Sequence, residues 1–156
     1  MLKLSKLADY GTLIMVYMAR HYNEFSVYNA RDVAEGIHVN QPTVSKLLKL
    51  LAKYGLVVSE RGANGGYRLA RHPKKISVVD IISAIEGNIS MTDCSHHKGL
   101  CTLESYCAVR VNWRLINQTI YKALETITLD DMAKPHLRDR LDITIQHKSI
   151  TDATRL

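Results

Sequence analysis

Between Asn29 and Tyr54 the chain carries two short amphipathic stretches that meet at a tight turn, a pattern few folds accommodate. Asn29 is placed to N-cap the first stretch, with Asp32 at N3 favouring the positive end of the helix. Its apolar stripe is Ala30, Val33, Ala34 and Ile37, and Gly36 is expected to take the left-handed conformation that stops it. Asn40 caps again, and Pro42 falls in the first turn, where its missing N–H costs nothing. The next helix, Gln41–Tyr54, repeats an i, i+3, i+4, i+7 stripe at Val44, Leu47, Leu48 and Leu51. Its other face shows Gln41, Thr43, Ser45, Lys46, Lys49 and Lys53. A purely structural helix hairpin has the same geometry but mixes Glu with Lys on its outside. Here no acid occurs from Gln41 to Ser59. The pattern predicts a helix-turn-helix whose second helix carries hydroxyls, an amide and lysines outward, as a major-groove reader does.

The residues after that helix complete the motif. Leu56–Ser59 and Gly66–Ala70 are strand-like and flank the glycine-rich run Glu60-Arg61-Gly62-Ala63-Asn64-Gly65. Alone, this is a tight hairpin; directly after a reading helix, it is a wing. Arg61 at its base suits the minor groove, where negative potential is deepest. The predicted interface comprises Gln41, Thr43, Ser45, Lys46 and Lys49 of the helix with Arg61, Gly62, Asn64 and Tyr67 of the wing. Charge agrees with this placement. Residues 1–75 carry 12 Lys/Arg against 5 Asp/Glu, whereas 76–156 carry 9 against 10. A basic half of this kind attracts a polyanion by releasing its condensed counterions.

The rest of the chain frames this unit. Tyr10, Leu13, Ile14, Tyr17, Met18 and His21 lie at helical spacing and predict a first helix over residues 3–22. Residues 25–28 form a short extended link. Ser77 with Asp80 reads as a capping box opening a helix through Val78, Ile81, Ile82 and Ile85 to Gly87. Residues 88–107 lose periodicity. Val109, Trp113, Ile116, Ile120, Ala123 and Ile127 then recur at coiled-coil-like spacing, and this seam is expected to pair two copies on an operator with two half-sites. Thr128 with Asp131 caps a short helix, and the tail beyond Pro135 is polar and expected to be partly disordered. The expected fold is mainly α with a small β-hairpin wing: a winged helix-turn-helix plus a long C-terminal dimerisation helix. Its parts are a DNA-binding domain (1–87), a cysteine loop (88–107), a dimerisation helix with the short helix after it (108–133) and the tail (134–156).

Cys94, Cys101 and Cys107, spaced C-x6-C-x5-C, are the only cysteines. Three thiols within fourteen residues do not make a disulfide framework, and in a reducing compartment they read as ligands or reactive thiols. Thiolates are soft ligands for zinc, copper(I) and iron–sulfur clusters. Structural zinc favours tight C-x2–4-C pairs, while wider spacing wraps a larger object such as a cluster. The alternative is three small buried hydrophobes. A cluster normally takes four protein ligands, so three thiolates and one weaker ligand make a labile, sensor-like site.

With these features in place, the chain to about Met132 resembles the IscR/NsrR-type (Rrf2) family of bacterial regulators. The matching stretches are Leu4–Tyr10, Gly55-Leu56-Val57, Arg61–Tyr67 and Ile127-Thr128-Leu129, with the three-cysteine loop and Trp113. Within it, the N-terminal stretch, the Cys94–Cys107 loop and Thr128–Met132 are most similar to regulators of SUF iron–sulfur assembly operons. The resemblance implies a homodimer on promoter DNA that carries an iron–sulfur cluster on Cys94, Cys101 and Cys107, 2Fe–2S in preference to 4Fe–4S. It implies a repressor of assembly genes; a nitric-oxide-responsive repressor and an apo or zinc-loaded thiol regulator share the scaffold. Arg110 stands where IscR-type relatives place a ligand histidine, and a guanidinium cannot ligate. Asp9 of the partner subunit, His96, His97 and Glu104 are the candidates for the fourth ligand. With no apolar run long enough to span a bilayer and no signal-peptide pattern, a cytoplasmic protein is expected. No small-molecule substrate is expected either. The absence of C-x-x-C and of a βαβ pattern argues against a thiol oxidoreductase.

Overall fold

A computed structural model describes residues 4–23, 26–62, 64–87, 89–90, 92, 101–102 and 105–134. Side-chain caps set the helix starts. Ser5 accepts from the Ala8 N–H and opens α1 (Lys6–Arg20). Asn29 accepts from Arg31 and Asp32 N–H and opens α2 (Ala30–Ile37). Asn40 accepts from Thr43 N–H at 3.0 Å and opens α3 (Gln41–Lys53), with Pro42 in its first turn. Ser77 and Asp80 close a reciprocal capping box at the start of α4 (Val78–Glu86), which ends at Gly87 with φ +85°. Each such cap contributes about 1 kcal/mol by satisfying N–H groups the helix leaves orphaned. Strands β1 (Val57–Glu60) and β2 (Gly66–Leu69) pair antiparallel, with Val57 opposite Leu69 and Glu60 opposite Gly66.

The core forms where α1, α2 and α3 meet. Val44, Leu47, Leu48 and Leu51, the predicted stripe of α3, are all buried, against Ile14, Met15 and Met18 of α1 and Val33 of α2. Burying the four α3 residues yields on the order of 10 kcal/mol before chain entropy is charged. The stripe predicted for α1 needs correction. Leu13 and His21 are exposed, while Ala8 and Met15 are buried in their place. The buried face of α1 is rotated because it packs on α4 and on α3 at once.

Gly36 also departs from expectation. It lies inside α2, and the left-handed residue after the helix is His38, with φ +55°. Glycine is needed at 36 for a different reason. A Cβ there would sit 2.2 Å from Cε2 of Tyr17, so α1 and α2 approach closely only without one.

Beyond the cysteine segment, α5 (Arg110–Glu125) runs on to α6 (Leu129–Ala133), which Thr128 and Asp131 start with a second capping box. The expected division of the chain groups α6 with α5. In the structure α6 packs on α1, and Leu129 is fully buried in the core described above. The link is a β-bridge between Ser77 and Thr128: Val78 N–H donates to Ile127 O (2.9 Å) and Leu129 N–H to Ile76 O (2.8 Å). Ile127 therefore lies at this bridge, past the end of α5. No residue of α5 is buried within the chain. Trp113 and Ile120 are half-buried, whereas Ile116 is 42% and Val109, its N-cap, 49% exposed. Among the described residues no helix is long and apolar enough to cross a membrane. The expected tail, residues 135–156, lies outside the described residues.

Candidate nucleic-acid interface and cysteine segment

The buried stripe of α3 fixes which residues it turns outward. Gln41, Lys46, Lys49 and Lys53 are exposed, and Thr43 and Ser45 are partly so. Asn40 spends its side-chain oxygen on the Thr43 N–H, which holds the first turn in place. The outward face thus presents donors and three cations on a helix whose opposite side is anchored along its length.

The wing packs on α3 through β1. Arg61, Gly62 and Asn64 are exposed at its tip, and Ala63 lies outside the described residues. Gly65 N–H donates to Gly62 O at 3.0 Å, and a Cβ at Gly65 would come within 2.5 Å of Glu60 O, so the turn is tight. Glu60, expected in the loop, is the last residue of β1. Its carboxylate pairs with Arg68, so the single acid between Pro42 and Lys75 is already partnered within the hairpin. Tyr67 sits in β2, half-buried against the core, so its ring contributes to packing as well as to the wing.

Sequence reasoning passed over one residue that positions the wing. Tyr28, read as part of a link, pairs with Tyr67 in both directions, each N–H···O at 2.8 Å. It thereby joins the outer edge of β2 to the residue before the α2 N-cap. Its hydroxyl donates to His21 O, and its ring meets Tyr17 edge-on at 6.2 Å. The signal in the sequence was the β-favouring pair Val27-Tyr28 directly ahead of a capping Asn.

The cysteine segment leaves from the end of α4 and returns at the start of α5. Its first end is held by Asn117, whose Nδ2 donates to Ile89 O at 3.3 Å, and its last by Arg110 N–H donating to Cys107 O at 3.3 Å. Cys101 and Cys107 are free, half-buried thiols. Cys94, His96, His97 and Glu104 lie outside the described residues. Among the described residues no three His, Cys, Asp or Glu side chains come together as a metal site. Asp9 is exposed in the first turn of α1. Nearby, Ser5 N–H donates to Glu86 Oε1 at 2.7 Å, bringing that turn to the end of α4 from which the segment departs. The chemistry of the donor set fits a thiophilic iron centre: two free, half-buried thiols, with a third cysteine in the same stretch of sequence.

The model for Rrf2, described as an iron-dependent transcriptional regulator, matches residues 4–135. Protein rrf2 of Nitratidesulfovibrio vulgaris (strain Hildenborough) is 30% identical over 133 residues, 85% of this chain and 88% of that protein. The HTH-type transcriptional regulator IscR of Aliivibrio salmonicida is 33% identical over 131 residues, 84% of this chain and 77% of its own. Among solved structures, CymR, the global cysteine regulator of B. subtilis, matches with a TM-score of 0.67 at 31% identity, covering 85% of this chain and 97% of CymR. These relatives are transcription regulators and not enzymes. The chain belongs to the Rrf2 family of winged-helix, DNA-binding transcription regulators.

Proposed function

We propose that this Rrf2-family chain is a homodimeric repressor of iron–sulfur assembly (SUF) genes whose hold on the operator depends on a labile iron–sulfur cluster. The observation that carries the reading is the pair of free, half-buried thiols, Cys101 and Cys107, in a segment tied to α4 and α5. Cys94, Cys101 and Cys107 would hold the cluster, 2Fe–2S in preference to 4Fe–4S. Asp9 of the partner subunit, His96, His97 or Glu104 would supply the remaining ligand. When bound, such a cluster supplies an iron- and redox-dependent link between thiolates. The kinship with proteins named IscR and the family's iron-dependent description support this signal.

In this reading α3 enters the major groove with Gln41, Thr43, Ser45, Lys46 and Lys49, and the wing follows the adjacent minor groove with Arg61, Gly62, Asn64 and Tyr67. Two copies meet along α5, where Val111, Leu115 and Ile116 are exposed. Two readers so joined call for two half-sites. Anaerobically purified protein is expected to be brown and to contain iron, with thiolate-to-iron absorption lost in Cys101→Ala. Colourless, iron-free protein would overturn the cluster. Occupancy confined to nitrosative-stress promoters would overturn the assembly genes as the target.

A further inference from the structure

At the C-terminal end of α3 a cavity of about 530 Å³ opens where three parts of the fold converge. One wall is Tyr54, the C-cap of α3; another is Tyr121 of α5; Arg71, just past β2, stands at the rim. The floor is apolar, with Leu56 and Val79 both buried. The volume lies in the range of small-molecule sites, and the lining is as polar as it is apolar, with Arg71, Asp80 and Ser83 beside Leu56 and Val79.

The charges at the rim restrict what fits. Arg71 makes a single long ion pair, Nη2 to Asp80 Oδ2 at 3.5 Å. That leaves most of its five-donor fork uncommitted, and the fork matches a carboxylate in two parallel hydrogen bonds. Asp80 Oδ2 is already the acceptor for Ser77 N–H at 3.0 Å, so Asp80 is held in place by the α4 cap. A fixed carboxylate beside an open guanidinium repels dianions and phosphates, and it accepts a ligand carrying both signs. Ser83 on the same wall adds a hydroxyl that both donates and accepts.

We propose that this cavity binds a free α-amino acid with an apolar side chain: carboxylate on Arg71, ammonium toward Asp80 and Ser83, side chain on Leu56 and Val79. The site adjoins the point where the cysteine segment leaves α4, with Gly87 in its lining, but binding there does not depend on a cluster. A ligand here contacts the end of the reading helix and the helix expected to join two copies, so its occupancy bears on their relative placement.

The test is a thermal-shift screen of the full-length protein against the standard L-amino acids, with succinate and inorganic phosphate as dianionic controls. One or more apolar amino acids should raise the Tm by several degrees at saturating concentration, and neither dianion should do so. Arg71→Gln, which removes the charge and the fork but keeps a polar side chain, should abolish the shift, as should Ser83→Leu, which fills the cavity. Each variant is first checked for native circular dichroism, and the Arg71→Gln result alone decides if Ser83→Leu does not fold. The proposal is overturned if no amino acid shifts the wild type, if succinate or phosphate shifts it equally, or if the shift survives in Arg71→Gln.

Discussion

At position 36 two effects of opposite sign compete. Replacing a glycine in the last turn of a helix with alanine gains at most about 0.5–1 kcal/mol in backbone entropy. The new Cβ, however, falls 2.2 Å from the Tyr17 ring, which also packs against His21 at 4.7 Å and Tyr28 at 6.2 Å. Overpacking of this kind costs about 1–3 kcal/mol. Steric cost wins, and Gly36→Ala is expected to lower stability by about 1–2 kcal/mol in urea denaturation; a gain would mean the ring swings away freely. At the wing tip, Arg61 is exposed and the nearest acid, Glu60, is paired with Arg68. Arg61→Ala is therefore expected to weaken operator binding by about 1–3 kcal/mol, read by anisotropy titration, with folding unchanged. Equal affinity would remove the wing from the interface. Residue roles were legible where their cause is local: Asn29, Asn40, Ser77 and Thr128 cap the helices they were expected to cap, because capping involves only the next three residues. The role of Gly36 was not, because its cause is a tyrosine on another helix.

Element by element, α3 was the most legible, since one face is wholly core and the other wholly polar. The outline of α1 was legible but its buried face was not, because four helices, α2, α3, α4 and α6, pack against it. The most consequential element is α5. Val111 at 74% and Leu115 at 63% exposed, on a helix with no buried residue, leave it apolar on more than the expected seam. A helix apolar on several sides is stable in water only when covered. A charge on its seam should uncover it: Ile116→Glu is expected to raise the dimer dissociation constant at least tenfold, about 1.4 kcal/mol, in sedimentation equilibrium. An unchanged association state would place the dimer contact elsewhere.

Over the whole molecule, the feature least visible in the sequence is closure. Ser77 and Thr128, far apart along the chain, form one β-bridge, and Leu129 enters the core built by α1 to α4. Both ends of α5 are thus referred to the DNA-reading unit, one through the cysteine segment and one through this bridge. In the proposed dimer, a change at the segment would reach α5 and, through it, the relative placement of the two copies. Pairing of this kind carries no local pattern, so the packing of α6 on α1 was not visible in the sequence. The central claim is that cluster occupancy sets the grip of α3 and the wing on DNA. Its most direct test is an anaerobic anisotropy titration of the duplex upstream of the organism's SUF operon, with cluster-loaded and cluster-free protein at one fixed salt concentration. The two affinities are expected to differ at least tenfold, about 1.4 kcal/mol; affinities equal within about twofold would contradict the account.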